Sequence, residues 1–190
     1  MRGNLRVIGL LIATLAGTGA VAGAQAATAS TAPAVATPDP GAAAATYRGR
    51  KIDLKDGWGG ARACAVLSPT DVRCYDSYSE ANVVTATGSS GGASTQGTAD
   101  CPAGWLCIYE GTNWDGRRLQ FNDEFWHSLA PYGFQKMTSS WHNNQDCAWW
   151  QSKNDNGTLG NGSGGNLDLP ACARSSSIGS YDNVATDIFG

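Results

Sequence analysis

The chain of 190 residues has little charge: 15% of its residues are Asp, Glu, Lys or Arg, and only two are histidine. Long solvated helices carry more charge than this, which argues against a helical protein. The formal net charge is -3, and it becomes more negative if a leader carrying Arg2 and Arg6 is removed. With no basic surplus to meet a phosphate backbone, nucleic acid is excluded as an expected partner. No apolar run reaches the roughly 18–20 residues that span a bilayer, so no membrane anchor is expected in the mature protein. There is no C-x-x-C and no paired Cys/His cluster of the kind that holds zinc. G-x-S-x-G, H-E-x-x-H and the P-loop are also missing. His127 and His142 stand apart, and adjacent Asp123 and Glu124 do not by themselves place two carboxylates across one substrate. These absences predict a protein that is not an enzyme.

What is present is glycine, tryptophan and cysteine, at 25, 7 and 6 residues. Glycine-rich turns between aromatic-rich strands predict an all-β fold. Arg2 and Arg6, the apolar run Val7 to Ala16 and the small residues that follow form the three parts of a secretory signal over 1–26. Ala22-Gly23-Ala24 or Ala24-Gln25-Ala26 supplies the cleavage site. Secretion to an extracellular setting makes the even set Cys64, Cys74, Cys101, Cys107, Cys147 and Cys172 a disulfide framework.

Composition divides the rest. Residues 27–46 are Ala/Thr/Pro-rich, too poor in bulky apolar groups to offset ordering entropy, and read as a tether. Residues 47–84 regain complexity. Cys64-Ala65-Val66-Leu67, the turn Ser68-Pro69-Thr70-Asp71 and Val72-Arg73-Cys74-Tyr75 read as a hairpin that sets Cys64 opposite Cys74, so one bridge staples the segment. A segment so small has little core, and Trp58 with the bridge is expected to carry most of its stability. Residues 85–99 are a Gly/Ser/Thr linker, and a second module occupies 100–190.

Within that module a frame of aromatic, four residues, aromatic, one residue, glycine occurs as Tyr109, Trp114, Gly116. It recurs as Trp150, Asp155, Gly157 with its first aromatic and its glycine kept. Tyr109 and Trp150, like Gly116 and Gly157, are 41 residues apart, the signature of an internal repeat. The first aromatic of each copy should end a strand, with the glycine at positive φ where the next strand begins. Each copy then closes on a hydroxyl-bearing segment, through Ser139 and Ser140 in the first and Thr186 in the second.

This frame resembles the Greek-key repeat of the βγ-crystallin superfamily, and the resemblance implies a two-Greek-key sandwich of two four-stranded sheets. Within that superfamily the opening Cys101-Pro102-Ala103-Gly104-Trp105-Leu106-Cys107 and the further pair Cys147 and Cys172 are similar to the exported bacterial metalloproteinase-inhibitor family. The resemblance implies bridges Cys101–Cys107 and Cys147–Cys172, and a secreted inhibitor acting as a monomer on an extracellular peptidase, most naturally a metalloproteinase. It works through a loop anchored by a disulfide: Asp146, Cys147, Ala148 and Trp149. A covalent anchor beside such a loop reduces the entropy lost on docking.

No cofactor is required by this reading. The superfamily's calcium motif aligns with Gln135 to Ser140, where Lys136 opposes a cation, and with Asp182, Asn183, Thr186 and Asp187, which leave one weak calcium site to consider. The alternative to inhibition is a calcium-binding or cell-wall carbohydrate-binding module. The carbohydrate form of that alternative is suggested by Trp126, Trp141 and Trp149 and by the Gly/Asn-rich stretch Asn154 to Asn166.

Overall fold

The computed structural model describes residues 43–85, 99–147 and 155–190, all within one compact unit, Thr37–Gly190. The leader, most of the tether, residues 86–98 and residues 148–154, which include Ala148 and Trp149 of the expected loop and Trp150 of the second aromatic frame, lie outside the described residues. Among the described residues the fold is all-β apart from one short α-helix and two single-turn 3-10 helices.

The hairpin read around Pro69 is formed by β3 (Ala63–Ser68) and β4 (Asp71–Tyr75), with Cys64 directly opposite Cys74 and the two joined by a disulfide. Ser68 Oγ accepts the Asp71 N–H at 3.0 Å, which closes the turn. Before it come β1 (Ala44–Tyr47) and β2 (Arg50–Asp53). β1 starts at Ala44, inside the stretch whose composition reads as a tether. The correction has a physical reason. β1 lies between β2 and β4, and its small residues let Ala45 and Tyr47 pack into a core supplied by other strands.

After β4 the helix α1 (Tyr78–Thr85) crosses the sheet. Then come β5 (Leu106–Tyr109), β6 (Arg118–Phe121), β7 (Trp126–Ser128), β8 (Ser140–Asn143), β9 (Gly157–Gly160), β10 (Asn166–Leu169), β11 (Ala173–Ser175) and β12 (Asp187–Phe189). These eight form two successive runs of four, and each run places its third strand in the other run's sheet. β11 joins β8, β5 and β6, while β7 joins β12, β9 and β10. Residues 100–190 thus form the expected pair of four-stranded sheets.

The first of these sheets does not end at β6. β3 pairs with it in parallel, Ala63 opposite Arg118 through Val66 opposite Phe121, and the sheet grows to eight strands in the order β11-β8-β5-β6-β3-β4-β1-β2. An uncovered β6 would leave a row of unpaired backbone groups, and the stapled hairpin satisfies them.

Alternation along these strands sorts side chains to two cores. Cys64, Val66, Leu106, Ile108, Leu119 and Phe121 face the four-stranded sheet and its Leu159 and Ile188. On the other side, Ala63, Ala65, Cys107 and Tyr109 pack with Tyr78 and Ala81 of α1 and with Trp105. Trp58 belongs to the inner core, 4% exposed, beside Phe134 at 5.7 Å, and its indole N–H donates to the Tyr132 carbonyl at 2.8 Å.

Candidate inhibitory loop and its support

The first aromatic frame folds as its residues suggest. Tyr109 ends β5, and Gly116 has φ +82°. A Cβ there would stand 2.9 Å from that of Glu110 and 3.0 Å from the Gly111 nitrogen, so only glycine closes the turn without strain. Ser140 locks it: the hydroxyl donates to the Gly111 carbonyl at 2.6 Å and accepts the Trp114 N–H at 3.1 Å. Ser139 adds a backbone bond to Tyr109 O at 2.9 Å. Tyr109 is fully buried and donates to Asp100 O at 2.7 Å, and burial pushes its phenol pKa up.

The second frame is not where the spacing of 41 places it. Gly157 opens β9 and does not have positive φ; it is small because a Cβ would collide with Leu106 Cδ2. The structural repeat is instead 47 residues over its latter half, Trp126 to Ala173 and Ser140 to Asp187 at the starts of the corresponding strands. Lys136 and Asn183, also 47 apart, have φ of 58° and 57°. They make reciprocal bonds, Lys136 N–H to Ala185 O at 2.7 Å and Asn183 N–H to Thr138 O at 3.0 Å. The hairpin of the second run is braced by Tyr181, whose hydroxyl meets Leu159 O at 2.8 Å and Gly165 O at 2.9 Å.

Of the residues aligned with a calcium motif, Asn183 donates to Asp182 at 3.3 Å and Thr186 donates to Asp187 at 2.7 Å, two separate local pairs. Among the described residues no group of three or more His, Cys, Asp or Glu side chains is placed to hold a metal. His127 is buried, with its Nε2 2.7 Å from Asp123 and its ring against Phe121 at 4.9 Å; it serves the core.

The loop expected to face a peptidase leaves β8 at Asn143. Disulfides Cys101–Cys107 and Cys147–Cys172 are both formed, and between them they hold this exit on two sides. The Asn144 N–H donates to Trp105 O at 2.9 Å, its side chain to Cys101 O at 2.6 Å, and its carbonyl accepts the Gly104 N–H at 2.9 Å. Asp146 follows in a left-handed conformation, φ 50°, and turns the chain toward exposed Cys147. Ala148 and Trp149 lie outside the described residues.

Asn143, which the sequence reading passes over, closes the base of this loop. It is fully buried. Its amide donates to Asp155 O at 2.8 Å and Leu169 O at 2.9 Å, and its Oδ1 accepts the Gln145 N–H at 3.0 Å. The loop's two stems and the end of β10 are tied through one side chain. A single asparagine among polar neighbours carries no sequence signal of such a role; the only hint is its place just ahead of a disulfide-closed loop. Asn143→Leu leaves three backbone groups without their partner and is expected to cost about 1–3 kcal/mol of stability, read by thermal melting. An unchanged melt would show that the base is held by the disulfide alone.

His142, on the outer side of the same strand, opposes Arg174 of β11. Burial lowers its pKa, Ala99 opposes this through a backbone hydrogen bond, and Arg174 adds to the lowering. The folded state therefore disfavours the proton. The stability this provides is complete above the unfolded value of about 6.5 and is lost as pH falls toward the depressed folded value. Melts between pH 7 and 5 should show a decline that His142→Phe flattens; an equal decline in both proteins would assign it elsewhere.

Residues 94–161 match the model of peptidase inhibitor family I36. The match takes in the whole first four-strand run, Cys101–Cys107, the loop with Cys147, and β9. No curated protein and no solved structure matches the chain significantly. The similarity of this segment is to a family of peptidase inhibitors.

Proposed function

We propose that the protein is a secreted inhibitor of an extracellular peptidase, with metalloproteinases as the target class, and that it acts through the loop anchored at Asp146 and Cys147. The observation that carries the reading is the coincidence of the family match with a doubly anchored loop exit. The segment that resembles inhibitors is the one in which a disulfide, Asn143 and Asn144 hold both stems of a short loop. An inhibitor needs such a loop because a segment already ordered at its ends loses less entropy in the enzyme cleft and, if cut, does not separate readily. The exchange of third strands between the two sheets supports a two-Greek-key βγ-crystallin-type module as the scaffold. Three disulfides suit an oxidising, extracellular setting, and the inhibitor is proposed to act as a monomer.

The target class is tested by titrating the whole chain into a thermolysin-type metalloprotease, subtilisin and papain in parallel. The reading expects stoichiometric loss of the metalloprotease activity with the other two spared. Loss of subtilisin or papain activity instead would keep an inhibitor and reject the class; full activity of all three at high molar excess would reject inhibition.

A further inference from the structure

The outer face of the four-stranded sheet carries a feature that inhibition does not use. On β7, His127 points into the core while Trp126 and Ser128 face outward, and on β12 Ile188 is buried while Asp187 and Phe189 face outward. Beside them run Gly160 of β9, opposite Asp187, and Asn166 of β10, opposite Gly160. Trp126, Ser128, Gly160, Asn166 and Asp187 are among the residues that line an open groove of about 480 Å³, within the range of small-ligand sites.

Its wall is Trp126, 56% exposed yet not loose: Phe189 packs against the indole with ring centroids 5.7 Å apart. Its floor is backbone. A Cβ on Gly160 would sit 3.4 Å from Trp126 Cζ3 and 3.6 Å from Asp187 Cβ, so the missing side chain is what leaves room beside the indole. Gly160 takes no left-handed φ, and a turn does not account for glycine here. The opposite edge is polar. The Asp187 carboxylate is held by the Thr186 hydroxyl at 2.7 Å, Asn166 is exposed, and Ser128 lies directly across from Asp187.

An indole presented beside a backbone floor and faced by a carboxylate, an amide and a hydroxyl matches one ligand chemistry. A gluco-configured pyranose in β linkage carries axial hydrogens on both faces, H1, H3 and H5 on one of them forming an apolar patch that packs on an aromatic ring, and its equatorial hydroxyls around the rim, where Asp187, Asn166 and Ser128 can bond them. An apolar peptide side chain would offer those three polar groups no hydrogen bond in exchange for the water it displaces, and a phosphate or sulfate would meet the carboxylate of Asp187.

We infer that this groove is a saccharide-binding site for β-linked, gluco-configured pyranose units, separate from the inhibitory loop.

The test is calorimetric titration of the whole chain with cellohexaose and with chitohexaose, and with maltohexaose as the α-linked comparison. Amide chemical shifts are followed in the same samples. Binding of cellohexaose, chitohexaose or both is expected, with shifts confined to residues 126–128, 158–166 and 187–189; which of the two binds distinguishes a plain hydroxyl from an N-acetyl substituent. Trp126→Ala should weaken binding at least tenfold without altering peptidase inhibition. Gly160→Ala, which places a methyl in the groove without a left-handed φ to strain, should weaken it several-fold and serves if Trp126→Ala does not fold. No binding of either β-linked hexasaccharide, equal binding of maltohexaose, or unchanged binding by both variants would overturn the site.

Discussion

Arg118→Met is expected to destabilise the protein by about 3 kcal/mol, and so to lower its melting temperature by about 10 °C in a domain of this size. Arg118 lies on β6 with no solvent exposure, beneath α1. Its guanidinium donates to Asp100 O at 2.6 Å, Tyr78 O at 3.4 Å and Asn82 Oδ1 at 2.8 Å, and stands 4.7 Å from the Tyr78 ring centroid. Methionine fills much of the same volume but takes the guanidinium donor from the buried Asn82 Oδ1 and from Tyr78 O, and leaves Asp100 O with the Tyr109 hydroxyl alone. Arg118→Lys should recover little, since one ammonium cannot reproduce the planar fork. Gln120 continues the same polar seam, donating to Thr85 Oγ1 at 3.2 Å. A melt of Arg118→Met within about 2 °C of the parent would mean that α1 is held by apolar contacts alone.

Trp58→Ala is expected to cost about 4 kcal/mol, the usual loss for a buried large aromatic. Trp58 precedes the stapled hairpin in the chain, yet its contacts are with the turn after β7, through the Tyr132 carbonyl and Phe134, and with Arg117 just ahead of β6, whose guanidinium lies 4.9 Å over the ring. Arg117 is itself paired with Glu110 at 2.9 Å. The loss should therefore appear as one cooperative transition moved to lower temperature. Trp58→Phe should give back most of it and leave about 1 kcal/mol for the unmade indole hydrogen bond. Two separate transitions in Trp58→Ala would instead show that the hairpin segment and residues 100–190 unfold independently.

Local chemistry was readable in advance and long-range pairing was not. Ser68, Pro69 and Asp71 specify a turn between two β-rich runs, and that turn alone sets Cys64 against Cys74. Tyr109, Trp114 and Gly116 likewise act within eight residues of chain. The second frame misled because Gly157 serves close packing against Leu106 rather than a turn, while the true second hairpin uses glycine and asparagine with Tyr181 as its brace. Helix α1 carries a start signal in the sequence. Ser77 and Glu80 are spaced as a capping box, and the Glu80 N–H does bond Ser77 Oγ at 3.1 Å, while Glu80 reaches the Asp76 N–H at 3.0 Å. Its body, with Asn82, Val83, Val84 and Thr85, is a poor helix by propensity and is held by the sheet beneath it. The parallel pairing of β3 with β6 leaves no local trace, because it depends on which edge lies open once both halves have folded. At the loop, the cysteines and Asp146 were visible, whereas Asn143 became meaningful only when three chain segments met around it.

The central claim is that the loop held by Cys147–Cys172 is what a peptidase meets. Its most direct test is an inhibition titration of a thermolysin-type metalloprotease with the whole chain beside the Cys147→Ser/Cys172→Ser double variant, whose folding is verified by the unchanged near-ultraviolet signal of Trp58 and Trp105. The account predicts stoichiometric inhibition by the parent and at least tenfold weaker inhibition by the variant, with the variant cut between Cys147 and Asp155. Equal inhibition by both proteins, or none by the parent, would contradict it.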